Sequence, residues 1–136
     1  MSIVSHILTI RVPYSDTDGQ RRVHHANYLN YFEQGRVELL RARGWSYKAI
    51  EETGLLLVVS EMQIKYFFPA EFDDVLTLET SVTSARGARI EHAYKLSRDD
   101  VLIVTAQSTI ACIDQTGRVR RLPRELLETN PSGNTY

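Results

Sequence analysis

The sequence predicts an α+β domain in which one long helix packs against an antiparallel sheet. Three observations lead there. A single stretch, 26–43, carries apolar residues at helical spacing. One segment before it and several after it alternate apolar and polar residues at the period of a strand. Only short turn signals, "ARGAR", "SRDD" and "DQTGR", separate the later segments, so neighbours in sequence pair as hairpins. A chain of 136 residues suits one domain with its own core, and 1–136 is read as a single unit.

Residues 3–13 alternate, are rich in Ile and Val, and end at Pro13, which reads as a first strand. A loop follows. From Ala26 to Arg43 the residues Tyr28, Phe32, Gly35 and Leu39 share one helical face, with Leu29, Arg36 and Leu40 alongside. Gly44 suits the C-terminal cap, and Arg41 and Arg43 complement the dipole of the last turn. Gly35 in mid-helix costs about 1 kcal/mol against Ala, which points to close approach of a crossing strand. A short second helix is expected over 46–54.

In "LLLVVSEMQIKYFF" Met62, Ile64, Tyr66 and Phe68 alternate with Glu61, Gln63 and Lys65, and Pro69 ends the run. Leu76, Leu78, Thr80 and Val82 mark the next strand, and Ile90, His92, Tyr94 and Leu96 the one after. "VLIVTAQSTIACI" is apolar enough to be covered on both faces. "LPRELLE" suits a short helix opened by Pro123, and 129–136 read as a frayed end. One sheet face would take the helix. The other would stay partly apolar, which suggests association with a second subunit.

Composition excludes several classes. A formal net charge of −1 gives no bulk attraction to nucleic acid or to a membrane surface. Arginines outnumber lysines 13 to 3, which permits local contacts with carboxylate or phosphate, although GC-rich codon usage by itself is the better explanation. The only cysteine, Cys112, rules out an internal disulfide and reads as a small buried hydrophobe. The first residues lack the basic start and apolar block of a secretion signal, and no apolar run is long enough to span a bilayer. The expected location is the cytoplasm.

The chemistry concentrates in "YSDTDGQRRVHHANY", Tyr14–Tyr28. A calcium loop opening at Asp16 would need Asp or Asn, Gly and Glu where Gln20, Arg21 and Asn27 stand. Zinc would need converging ligands, yet His24 and His25 are adjacent and Arg21 and Arg22 repel a cation. Nucleic acid would call for a wider basic surface. Acid–base chemistry fits better. Asp16 and Asp18 precede a helix start near His25, where unpaired N–H groups can hold a developing oxyanion. The same residues also suit a plain turn or cap, and spacing leaves both readings open.

Four segments, "RVPYSDTD", "VHHANYLNYFEQGRVELLR", "VVSEMQIKYFFPAEFDD" and "SARGARIEHAYKL", resemble the hotdog-fold acyl-CoA thioesterases of the 4-hydroxybenzoyl-CoA thioesterase type. The likeness is nearest to the Tol–Pal-associated branch and its plant acyl-lipid thioesterase relatives, and it runs over nearly the whole chain. It implies the hotdog fold, a curved antiparallel sheet of about five strands wrapped round one long helix. It also implies hydrolysis of an acyl-CoA or acyl-carrier-protein thioester with no metal or other cofactor. Asp18 would be general base or nucleophile. His25 would polarise the carbonyl through its backbone N–H, and Arg36 matches an arginine that matters in some relatives. The resemblance further implies a homodimer with a shared active site, paired into a homotetramer.

Tyr28, Arg36, Ser60, Arg86 and Arg89 complete the candidate substrate-binding set; the last two flank a hairpin turn and could meet CoA phosphates. Each has a structural alternative: Ser60 as a buried hydroxyl bonded to backbone, Arg86 and Arg89 as solvated charge. Asp16 reads as a turn former, His24 as exposed, His92 as a core or interface histidine, and Glu33 as a helix-surface acid in reserve as a base. The family's glycine-rich insert is replaced by "GQRRVH", which keeps a second reading alive: an acyl-thioester-binding hotdog protein without hydrolysis. The acyl group itself is not written in the strand pattern.

Overall fold

The computed structural model describes residues 5–127. Strand β1 (Ser5–Arg11) leads through a 3-10 turn at Tyr14–Asp16 into helix α1 (Asn27–Ala42) and the short helix α2 (Tyr47–Glu52). Strands β2 (Leu55–Tyr66), β3 (Val75–Arg86), β4 (Arg89–Arg98) and β5 (Val101–Asp114) follow, with a closing 3-10 turn at Arg124–Leu126. The strands form one curved antiparallel sheet in the order β1-β3-β4-β5-β2. The two strands that flank α1 in sequence therefore become the two edges.

Alternation assigns the sheet faces as expected. Leu76, Leu78 and Thr80 of β3 and Ile90, His92, Tyr94 and Leu96 of β4 are all buried. Leu76, Leu78, Tyr94 and Leu96 pack in one cluster with the buried helix residues Tyr28 and Phe32. Tyr31 is buried too, whereas Leu29 points outward at 43% exposure. The covered stripe of α1 is therefore turned toward the 28–31–32–35 side. A second core cluster joins Ile90, Ile110, Cys112 and Leu122, and a third joins Leu40, Ile50 and Leu126 under α2.

Two expectations, for β5 and for Pro123, need correcting, and the one for the second sheet face holds at one side of it. Only Ile103 and Val104 are buried consecutively in β5; beyond them alternate residues are covered, so this strand has one buried face. The middle of the sheet face away from α1 is polar, carrying Glu61, Gln63, Lys65, Glu91, Lys95 and Gln107, while Ile7 of β1 and Val75 of β3 leave one side of it apolar at 60% and 42% exposure. Further exposed apolar surface lies on edge strand β2 at Val58 and Val59 and on the segment after it, where Tyr66, Phe67 and Phe68 are about half exposed. Pro123 precedes a 3-10 turn, since the chain leaves helical geometry again at Leu127. Residues 129–136 lie outside the described residues.

The ends of α1 are set by local chemistry. At the C-terminus Gly44, at φ +87, donates to Arg41 O (3.0 Å) and Trp45 N–H donates to Leu40 O (3.1 Å), closing the helix with a left-handed residue. Ser46 then caps α2 by accepting from Ala49 N–H at 3.0 Å. In mid-helix a Cβ on Gly35 would stand 2.3 Å from Thr80 Oγ1 and 2.9 Å from Leu78 Cδ2. The crossing strand is β3, and glycine is what allows the contact. Gly35→Ala should therefore destabilise the fold by about 1–3 kcal/mol through overpacking, outweighing the gain in helix propensity of about 1 kcal/mol. Urea unfolding of the two proteins measures the difference.

Candidate active site

The loop between Asp16 and α1 is held by its own acids, and they divide the work. Asp16 is tied to the helix. Its Oδ2 accepts from Tyr31 Oη at 2.8 Å, and its carbonyl accepts from Asn27 Nδ2 (2.9 Å) and His24 N–H (2.9 Å). Burial and this carboxylate together push the Tyr31 phenol well above its usual range, so it stays a donor. Asp18 closes the loop on itself: Oδ1 accepts from Gln20 N–H (2.8 Å) and Arg22 N–H (3.2 Å). Its own N–H donates to Arg22 O at 2.7 Å. The second carboxylate oxygen has no hydrogen-bond partner among the described residues, and the side chain is exposed.

The rim is pinned from the far side of the chain. Val23 N–H donates to Ala70 O (2.8 Å), Phe72 N–H to Arg21 O (3.0 Å) and Ala70 N–H to Tyr28 Oη (3.2 Å). Helix α1 begins without a side-chain cap at Ala26. His24 Nδ1 instead accepts from Ala26 N–H at 3.2 Å, and the next three N–H groups donate to His24, His25 and Ala26 carbonyls. The His25 N–H makes no hydrogen bond among the described residues, while its ring stacks on His24 with centroids 4.5 Å apart.

Asp18, His24, His25 and Tyr28 line one cavity, with Arg22 and Val23 from the loop. Tyr66, Phe67, Phe68 and Pro69 form its aromatic wall. Three predicted residues thus come together: Asp18, His25 and Tyr28. The others do not join them within the chain. Ser60 sits exposed at a bulge in β2, its hydroxyl donating to Thr109 O at 3.1 Å. Arg86 and Arg89 face each other across the β3–β4 turn and are exposed. Tyr66 and Phe68, which alternate with polar residues as a strand in the sequence, stand with Phe67 in the cavity wall, a place signalled in the sequence only by three aromatics meeting a proline. No group of three or more His, Cys, Asp or Glu gathers as a metal site among the described residues.

A family model, the thioesterase-like superfamily, matches residues 12–129. The chain belongs to the thioesterase-like superfamily. It is 32% identical over 120 residues to the Escherichia coli acyl-CoA thioester hydrolase YbgC, covering 87% of this chain and 90% of that one. It is 38% identical over 106 residues to the Haemophilus influenzae acyl-CoA thioesterase YbgC, covering 77% and 78%. The crystal structure of a probable thioesterase from Bartonella henselae superposes with a TM-score of 0.83 at 36% identity, covering 88% of this chain and 99% of that one.

In this superfamily member Arg36 lies inside, away from the Asp18 cavity. Only 8% exposed, it donates from Nη1 to Tyr94 Oη at 2.9 Å, and Tyr94 Oη shares a 2.6 Å hydrogen bond with Ser108 Oγ. Tyr47 also bonds the guanidinium, and no carboxylate pairs with it among the described residues. A small gap beside it is lined by Arg43, Tyr47 and His92. The His92 Nδ1 is buried with no hydrogen-bond partner among the described residues. Burial, reinforced by the Arg36 and Arg43 cations, pushes its imidazole down to about 3. His92 is therefore neutral in the folded chain but takes up a proton below about 6.5 when unfolded. Its contribution is fully present above that value and is lost as pH falls from about 6.5 toward 3. His92→Leu should flatten the acid side of the stability profile, read as unfolding free energy at a series of pH values between neutral and acid.

Proposed function

We infer that this chain hydrolyses acyl-CoA thioesters. The single observation that carries the reading is one cavity lined by both Asp18, with a carboxylate oxygen free, and His25, with its N–H free at the start of α1. The relatives described above as acyl-CoA thioester hydrolases support the reaction class. The step is a plain hydrolysis. Water adds to the thioester carbonyl carbon while Asp18 takes its proton, or Asp18 itself attacks and water then cleaves the acyl–aspartate. The carbonyl oxygen becomes negative and is stabilised by the His25 N–H, which sits where the helix dipole is positive. The C–S bond then breaks, the thiolate takes up a proton, and free acid and CoA leave. No electrons are transferred, so the reaction needs no redox cofactor.

The working unit in this reading is a homodimer joined along β2. Support comes from an open edge strand with Val58 and Val59 exposed at 37% and 47% and from the bare aromatic run just after it. An unpaired edge of this length is a standing liability unless another strand covers it. Such pairing would bring Ser60 and the partner's cavity wall together and close the aromatic side of the site.

Asp18→Asn should leave the fold and assembly intact and lower turnover of acyl-CoA by about 10²–10⁴-fold. A thiol-release assay over short, long, branched and aromatic acyl-CoAs checks this, and undiminished turnover would refute the assignment. Val59→Lys should shift the assembly toward monomer in light scattering, with activity falling in step.

A further inference from the structure

The two arginines of the loop have different fates. Arg21 stands at φ +66, a left-handed conformation that a side-chain-bearing residue rarely adopts. Its carbonyl is taken by Phe72 N–H, and its guanidinium lies over the Phe72 ring, 5.7 Å from the centroid. It does not line the Asp18 cavity. Arg22 does.

The Arg22 backbone is held on both sides. Its N–H donates to Asp18 Oδ1 (3.2 Å), its carbonyl accepts from Asp18 N–H (2.7 Å), and a β-bridge joins it to Glu71. Its side chain, in contrast, forms no ion pair among the described residues. The only carboxylate lining the cavity is Asp18, one of whose oxygens is already engaged by two N–H groups. The facing wall of Tyr66, Phe67 and Phe68 carries no charge to offset the cation. A guanidinium so placed recognises a planar anion. The phosphates of CoA lie at the far end of the pantetheine arm. With the thioester at Asp18, the anion within reach of Arg22 is one carried by the acyl chain.

We propose that Arg22 is a specificity-determining residue that binds the terminal carboxylate of the acyl group, so that the preferred substrates are CoA thioesters of dicarboxylic acids. The proposal rests on the hydrolase reading given above. It assigns the guanidinium no part in bond breaking: water still cleaves the C–S bond, releasing the dicarboxylate and CoA.

The test compares succinyl-CoA with butyryl-CoA, which match in chain length and differ in the terminal carboxylate. The wild-type protein should favour succinyl-CoA in kcat/KM. Arg22→Gln should cut that preference by about 10- to 100-fold, mainly through KM, as expected for a lost charged hydrogen bond. Arg22→Lys should restore part of it, and Arg21→Gln should leave it unchanged. The preference should persist with the matching acyl-pantetheine thioesters, which lack the phosphates. No preference in the wild type, or a preference untouched in Arg22→Gln, overturns the proposal. An equal loss on both CoA thioesters that disappears with the pantetheine forms assigns Arg22 to phosphate and overturns it too. Calorimetric binding of the thioether S-(3-carboxypropyl)-CoA to wild type and Arg22→Gln separates the two layers. Binding that depends on Arg22 without any thioester turnover would sink the hydrolase reading and keep the carboxylate site.

Discussion

The close crossing of α1 over β3 at Gly35 is the constraint on which the rest of the structure depends. Leu78 and Thr80 occupy the space that any Cβ would fill, so the helix is seated at mid-length by the absence of a side chain. Once seated there, both ends are committed. The N-terminal turn comes down beside the loop, where Tyr31 reaches Asp16 and Tyr28 reaches Ala70 N–H. The C-terminal turn ends at Gly44 and hands over to α2, which closes the third cluster through Ile50 and Leu126. A helix displaced from this seat would separate the loop acids from the helix start that they flank.

Charge is distributed so that each fixed group has one task. Asp16 spends its carboxylate on Tyr31 and its carbonyl on the helix start, which makes it a strut. Asp18 gives one oxygen to the loop and keeps the other at the cavity. Arg36 is buried with phenolic and hydroxyl partners in place of a carboxylate, an arrangement that orients Tyr94 and Ser108 and adds to the burial that keeps His92 neutral. A buried cation compensated only by neutral dipoles is costly, and the surrounding hydroxyl network is what makes it tolerable. The result is a rigid polar pillar under the helix, separate from the exposed cavity at its N-terminus.

Several features were legible from residues alone. The strand periods, the glycine contact, the Gly44 stop and the segregation of β3 and β4 side chains all follow from local rules that neighbours in the chain enforce. Asp16, Asp18 and the helix start near His25 could be seen as one stretch because a loop and the helix it feeds are adjacent in sequence, while the choice of Asp18 came from the family resemblance alone. Arg22 stood in that stretch too, but nothing in the spacing separated it from Arg21. Only the left-handed turn at Arg21, which swings one guanidinium onto Phe72, tells them apart.

The sequence by itself determined the elements, their order, the fold class and the short stretch that holds the candidate site, because period, turn chemistry and helix capping are local. Tertiary structure alone decided which strands became edges, that exposed apolar residues also lie along edge strand β2, and that Tyr66–Phe68 form a cavity wall. It also decided that Arg36 is an interior group while Ser60, Arg86 and Arg89 lie apart from Asp18. These are outcomes of pairing between strands far apart in the chain, and no local pattern encodes which neighbour a side chain will meet. "GQRR" shows the division best: the residues announced a charged loop, and the fold chose which charge lines the Asp18 cavity.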